Sequence, residues 1–105
     1  MAVTPDTQYR GPWLGQKVFW YISPTYRGPV LIRGRQLDGA HRLGFNGREL
    51  PRRELRIHSY DTVGFDGPPG SRGVPSSVRA LVPGCYGVQI DGKRFSRIVI
   101  FRVTD

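Results

Sequence analysis

The 105-residue chain holds one cysteine, Cys85, and two histidines, His41 and His58. A single cysteine excludes an internal disulfide and a C-x-x-C redox pair, so the chain is not a stapled mini-domain. A zinc centre needs four ligands from Cys, His and carboxylate. With one Cys, two isolated His and eight acidic residues, no pair has ligand spacing, and neither a metal nor another cofactor is expected. Lysine is scarce too: of sixteen basic residues, only Lys17 and Lys93 are lysine. No apolar run approaches the roughly 18–20 residues of a membrane-spanning helix. The opening MAVTPDTQYRGPW lacks the charged start and apolar stretch of a signal peptide. It predicts a cytoplasmic protein unless a targeting segment has been removed. Helical periodicity is missing along the whole length.

What is abundant is punctuation. Fourteen glycines and nine prolines are scattered between short apolar runs, the pattern of many strands joined by turns. Residues 1–15 read as an irregular lead-in broken by Pro5, Gly11, Pro12 and Gly15, and the domain as 16–105. QKVFWYIS (16–23) is bulky on both faces, which predicts a strand covered on both sides. VLIRGRQL (30–37) puts Val30 and Ile32 on one face and Leu31, Arg33 and Arg35 on the other. A D-G turn follows within LDGAH (37–41), then a short strand in RLGFNG (42–47) closed by N-G. PRRELRIHS (51–59) alternates as a strand with Leu55 and Ile57 together, and is too short for a helix over RRELR. GFDGPPGSRGVPS (64–76) reads as a loop, SVRALVP (77–83) as a strand.

YGVQI (86–90), a turn at Asp91-Gly92 and FSRIVIFRV (95–103) form a hairpin. Its register stays open. A two- or four-residue loop puts Tyr86, Val88 and Ile90 on the face of Phe95, Arg97 and Val99, whereas a three-residue loop exchanges the faces. The apolar stretch Ile98–Phe101 predicts a well-covered strand. About seven strands at this spacing indicate an all-β sandwich or small barrel.

Charge is uneven on a chain of formal charge +8: residues 27–56 hold eight Arg against Asp38, Glu49 and Glu54. Arginine interleaved with Trp13, Phe19, Trp20, Tyr21, Tyr26 and Phe45 fits a nucleic-acid platform, since neutralised phosphates release counterions and bases stack on rings. In a domain this small the same aromatics are most of the available core, and Phe19 and Trp20 are expected there. Trp13 could cap a sheet edge. Cys85 has no cation or histidine beside it in sequence to favour the thiolate, so it reads as a small buried hydrophobe. Ser59, His58 and Asp61 are adjacent only in sequence, and no G-x-S-x-G elbow is present. Glu49 and Glu54 lie among arginines as ion-paired surface groups, and the prolines of GPPGSRG (67–73) remove the amides a phosphate cradle needs.

Three segments together carry a family resemblance: G-R-x-L-D-G within LIRGRQLDG (31–39), P-G-C-aromatic within VPGCYGVQIDG (82–92), and FSRIVIF (95–101). With the aromatic strand around KVFWYIS, they resemble an uncharacterised family of small secreted or lipid-anchored bacterial proteins with an immunoglobulin-like β-sandwich domain. The resemblance spans roughly residues 16–103. It departs at two points, the missing signal or lipoprotein cysteine and Tyr86 where the family often has Trp. It implies a single immunoglobulin-like β-sandwich of about seven short strands and an extracytoplasmic location if a signal segment was removed, and it implies no reaction.

The expectation is therefore a non-enzymatic binding or accessory module of unknown ligand. Its partner is expected to be a protein or an acidic surface component. Contacts are expected on the 60–76 loop or the Arg-rich surface, with Arg52, Arg53, Arg56 and Arg72 as binding residues and none as catalytic. The alternative is a basic all-β domain that binds nucleic acid through Arg and aromatics.

Overall fold

The computed structural model describes residues 4–5, 13–47, 50–59 and 67–104, and every regular element among them is a strand. These are β1 (Thr4–Pro5), β2 (Leu14–Ile22), β3 (Val30–Gln36), β4 (Gly44–Phe45), β5 (Glu54–Ile57), β6 (Arg72–Ala80), β7 (Gly84–Asp91) and β8 (Ser96–Val103). They form two antiparallel sheets, a first in the order β1-β2-β6-β4 and a second in the order β5-β3-β7-β8.

Period-two alternation sorts the side chains. In the first sheet Leu14, Val18, Trp20 and Ile22 of β2 stand beside Ala80, Ser76, Val74 and Arg72 of β6 on the inner face. In the second, Val30 and Ile32 of β3 oppose Ile57 and Leu55 of β5, while Ile32 also opposes Ile90 of β7. The two inner faces meet in one core that includes Ile32, Phe45, Ile57, Val78, Tyr86 and Val103, all 1% exposed or less. Burying each such side chain contributes on the order of 1.5–3 kcal/mol. Trp20 keeps its indole N–H satisfied within the packed layer by donating to Ser76 Oγ at 3.1 Å.

The strand order is the immunoglobulin arrangement: β1, β2, β6 and β4 occupy one sheet in the A-B-E-D order, and β3, β7 and β8 the other in the C-F-G order, with β5 beside β3. A second feature of that fold is present at the corner between β6 and β7. The Tyr86 hydroxyl donates to the Val82 carbonyl, four residues back, at 2.7 Å. The departure lies in chain order, because β4 precedes β5. Residues 41–43 still run beside β3, with Gln36 N–H donating to His41 O and Leu43 N–H to Gly34 O. The chain then crosses to pair Gly44 and Phe45 with β6. Asn46 (φ 53°) and Gly47 (φ 79°) turn it, as expected of an N-G pair, and Arg52 pairs back with Phe45 before β5 begins. A Cβ on Gly44 would lie 2.3 Å from Pro51 Cβ, so only glycine allows this return.

Several expectations need correction. β2 is covered on one side only: Phe19 and Tyr21 point outward and are 49% and 52% exposed, so Phe19 is not a core residue. β2 also begins at Leu14 and β1 pairs with it, so the lead-in takes part in the first sheet. β6 begins at Arg72, inside the predicted loop, and ends at Ala80. Pro75 is tolerated because β4 reaches only Val78 and Arg79, which leaves β2 as its one strand neighbour among the described residues. The 92–95 turn has four residues, closed by Gly92 N–H to Phe95 O, so Tyr86 pairs with Phe101, Val88 with Val99 and Ile90 with Arg97. β8 is not well covered: Ile98, Val99 and Ile100 are 68%, 51% and 63% exposed.

Candidate binding face

The outer face of the second sheet is a grid whose rows follow from the register. One row runs Arg56, Leu31, Asp91, Ser96; the next Glu54, Arg33, Gln89, Ile98; the next Arg42, Arg35, Gly87, Ile100; and Cys85 beside Arg102 closes it. On β5 and β7, and at the ends of β3 and β8 that reach the core, these positions alternate with core residues such as Ile32, Leu55, Ile57, Tyr86, Val88, Phe101 and Val103, so the packing that fixes the sandwich also fixes this face. Two depressions lie on it. The larger, about 600 Å³, is lined by Arg33, Arg35, Arg42, Arg53 and Glu54 with Leu37, Gly87, Gln89 and Ile98. The smaller, about 340 Å³, lies between Leu31, Arg56, Ile57 and His58 on one side and Asp91 to Lys93 on the other.

Among the described residues, three carboxylates belong to this surface, and each already has a partner. Glu54 Oε1 accepts from Arg56 Nη2 at 3.0 Å. Asp91 accepts from Ser96 Oγ at 2.6 Å and from Gln89 Nε2 at 3.1 Å, and Arg33 Nη2 lies 3.4 Å away. Those hydrogen bonds, Ser96 first, and the Arg33 charge hold its pKa below the usual aspartate value. Asp38 accepts the Cys85 amide N–H at 3.0 Å, which lowers its pKa too, with a smaller pull from Arg102. Among the described residues, no carboxylate lies within ion-pair distance of Arg35, Arg42 or Arg53.

The structure distributes the four arginines expected to bind. Arg53 lines the larger cavity and Arg56 the smaller. Arg52 is exposed, pairs with Phe45 and lines neither. Arg72 is buried between the sheets, and its guanidinium donates to the carbonyls of His58, Tyr26 and Gly28 at 2.9, 3.2 and 2.7 Å. That gives it a structural role: it ties three loop carbonyls at one end of the sandwich. Residues 60–66 of the expected contact loop, with Asp61, and Glu49 lie outside the described residues.

Arg33 and Arg35 were legible as one face from the alternation of β3. Arg42 and Arg102 were not singled out, although the D-G turn at 38–39 already sets Arg42 opposite Arg35. Cys85 is half-buried on this face opposite Arg102, not inside the core. His41 and His58 are exposed, and among the described residues no three His, Cys, Asp or Glu side chains gather.

The aromatics are elsewhere. Phe19 and Tyr21 stand on the outer face of the first sheet, across the core from the arginine grid. Trp13 lies under the guanidinium of buried Arg79, 5.8 Å from the ring centre, on that same side. Tyr26 packs edge-to-face on Phe95 at 5.0 Å, and its hydroxyl donates to Pro29 O and accepts from Lys93 N–H, clamping the 92–95 turn. Comparison with protein-family models, curated proteins and solved structures gives no match, so the geometry of this face carries the functional reading.

Proposed function

We propose that this domain is a non-enzymatic, extracytoplasmic binding module whose outer second-sheet face takes an acidic, partly apolar segment of another protein. The observation that carries this is the composition of the grid, where arginines alternate with half-buried Leu31 and exposed Leu37, Ile98 and Ile100. Guanidinium groups recognise carboxylates in forked geometry, and their weak hydration suits them to sit among apolar contacts. A single-stranded nucleic acid wants aromatic rings among the cations. Among the described residues no aromatic stands on the arginine face of the strands, and exposed Phe19 and Tyr21 lie on the opposite one.

The test is fluorescence anisotropy with three labelled probes: an extended peptide alternating Glu with Leu, its Gln-for-Glu counterpart, and an oligodeoxythymidylate. Supporting outcomes are preference for the acidic peptide, loss of that preference in Arg35→Glu and Arg102→Glu, and its retention in Arg52→Gln. Tighter binding of the oligonucleotide, with a steep log-linear salt dependence, would replace this reading with the nucleic-acid one. Unchanged peptide affinity in the two charge reversals would remove the face from consideration.

A further inference from the structure

Within the larger cavity, charge is concentrated beyond what a carboxylate ligand requires. Arg35 and Arg42 are direct partners in an antiparallel bridge, and Arg53 lines the same space. Partners of this kind have Cβ atoms about 4.5–5.5 Å apart, and like charges placed there destabilise the sheet. Among the described residues, the rest of the face does not relieve them. Glu54, the carboxylate described in the cavity wall, is held by Arg56, and Asp91 is engaged by Ser96, Gln89 and Arg33.

The space between these arginines is kept open by a missing side chain. Gly87 is the direct partner of Arg35 on β7, between Cys85 and Gln89 on the outer face. The nearest atoms to an added Cβ would be those of Leu37, at 3.4–3.7 Å, so neither a close contact nor its backbone conformation demands glycine here. What a side chain at this position would do is fill the floor of the cavity.

One carboxylate offers two oxygens and one charge, which a single guanidinium fork satisfies. Arg35, Arg42 and Arg53, the three guanidinium side chains in the wall of this cavity of about 600 Å³ that have no carboxylate partner among the described residues, match an anion with more oxygens than a carboxylate. We propose that Arg35, Arg42 and Arg53 form a pocket for a tetrahedral oxyanion ester, a phosphoryl or sulfuryl group, carried by the acidic segment that docks on this face. This rests on the reading of the face as a protein-binding surface and specifies which group of the ligand anchors it. The apolar contacts at Leu37 and Ile98 then receive the flanking residues.

The experiment compares one Glu/Leu peptide in four forms, with Ser, Glu, phosphoserine or sulfotyrosine at its central position. The phosphoserine or the sulfotyrosine form binds at least about tenfold more tightly than the Ser form, with Glu between them, and whichever of the two is tighter identifies the ester. Arg42→Gln and Gly87→Val each remove that increment and leave the weaker affinity of the Ser form. Arg42→Gln also raises the melting temperature of the free domain, because the like-charged pair is gone, so lost binding cannot be ascribed to unfolding.

Equal affinity of the ester and Glu forms would overturn the oxyanion pocket and leave the acidic-segment reading standing. No binding of any form would overturn both. If inorganic phosphate or sulfate at matched ionic strength displaced the ester peptide at equal concentration, the pocket would serve the free ion and the anchoring role would fall.

Discussion

Replacing Tyr86 with Phe removes one oxygen atom from the corner between β6 and β7 and nothing else. The ring is fully buried and stacked on Phe101, with centroids 6.3 Å apart and planes 21° from parallel, so Phe fills the same volume in the same contacts. What disappears is the 2.7 Å hydrogen bond to Val82 O. Val82 is half-buried, so its freed carbonyl reaches some water, and the loss is expected near the net value of one hydrogen bond, about 1 kcal/mol. In a domain of this size that corresponds to a melting temperature lower by roughly 5 °C.

The pH dependence supplies a second, independent signature. Burial raises the Tyr86 pKa above its ordinary 10.0, and the nearby Asp38 charge adds to it. The neutral phenol is therefore favoured by folding. Its contribution is complete below pH 10, and is lost as pH rises because the unfolded chain releases the proton first. The Phe variant has no such loss. Urea unfolding followed by the fluorescence of Trp13 and Trp20 should give a gap of about 1 kcal/mol at pH 7 that narrows above pH 10. The other tyrosines are common to both proteins and cancel. A gap of zero at pH 7, or one that stays constant to pH 11, would refute the corner as drawn.

Arg72→Met should destabilise the domain by about 3 kcal/mol, since three carbonyls lose a charged donor, while acidic-peptide affinity measured on the folded fraction stays the same. A marked loss of affinity at unchanged stability would return Arg72 to the binding surface. Asp38 has a folded pKa below 3.8, so its contribution is present above that value and is lost as pH falls through the folded one. Asp38→Asn should therefore show a smaller drop in urea midpoint between pH 7 and pH 2.5 than the parent; an equal drop would show that the Cys85 amide contact does not form in solution.

How much of this could be read from the chain depends on whether the signal was local. The 84–103 hairpin, the D-G turn and the Asn46-Gly47 turn were legible because turn chemistry acts over two to four residues. β3 was legible because Val30 and Ile32 alternate with Arg33 and Arg35, although Leu31 shares the arginine face. β2 misled because Phe19 and Tyr21 repeat the apolar character of Val18 and Trp20. Periodicity cannot tell a strand covered twice from one with exposed rings. β6 began inside a Gly- and Pro-rich stretch because a proline is harmless where the strand has one neighbour, a fact of sheet order and not of sequence. For the site, Arg33 and Arg35 were visible as a pair. Arg72, by contrast, looks like any surface arginine until its three carbonyl acceptors are brought to it from positions 26, 28 and 58.

The segment from His41 to Ile57 explains why the remaining arginines could not be assembled on paper. It leaves β3 in the second sheet, crosses to β6 in the first, and returns to the opposite end of β3 as β5. Arg42 is placed by the outgoing leg and Arg53 by the returning one, and both flank Arg35, which neither leg contains. The three charges therefore become neighbours only when both sheets are packed. Of the six arginines described on this face, Arg33 and Arg56 are matched by carboxylates, and Arg102 lies at the end held by Asp38. Residual positive charge is left at one place on the grid, over the glycine that keeps it open. A surface selected only for solubility would spread its charge, since interspersed signs avoid repulsion. Localising the excess on paired strands carries a stability penalty that an anion on that spot would relieve. Removing the excess should therefore strengthen the free domain and weaken its complex, and no purely structural role for these arginines yields that combination.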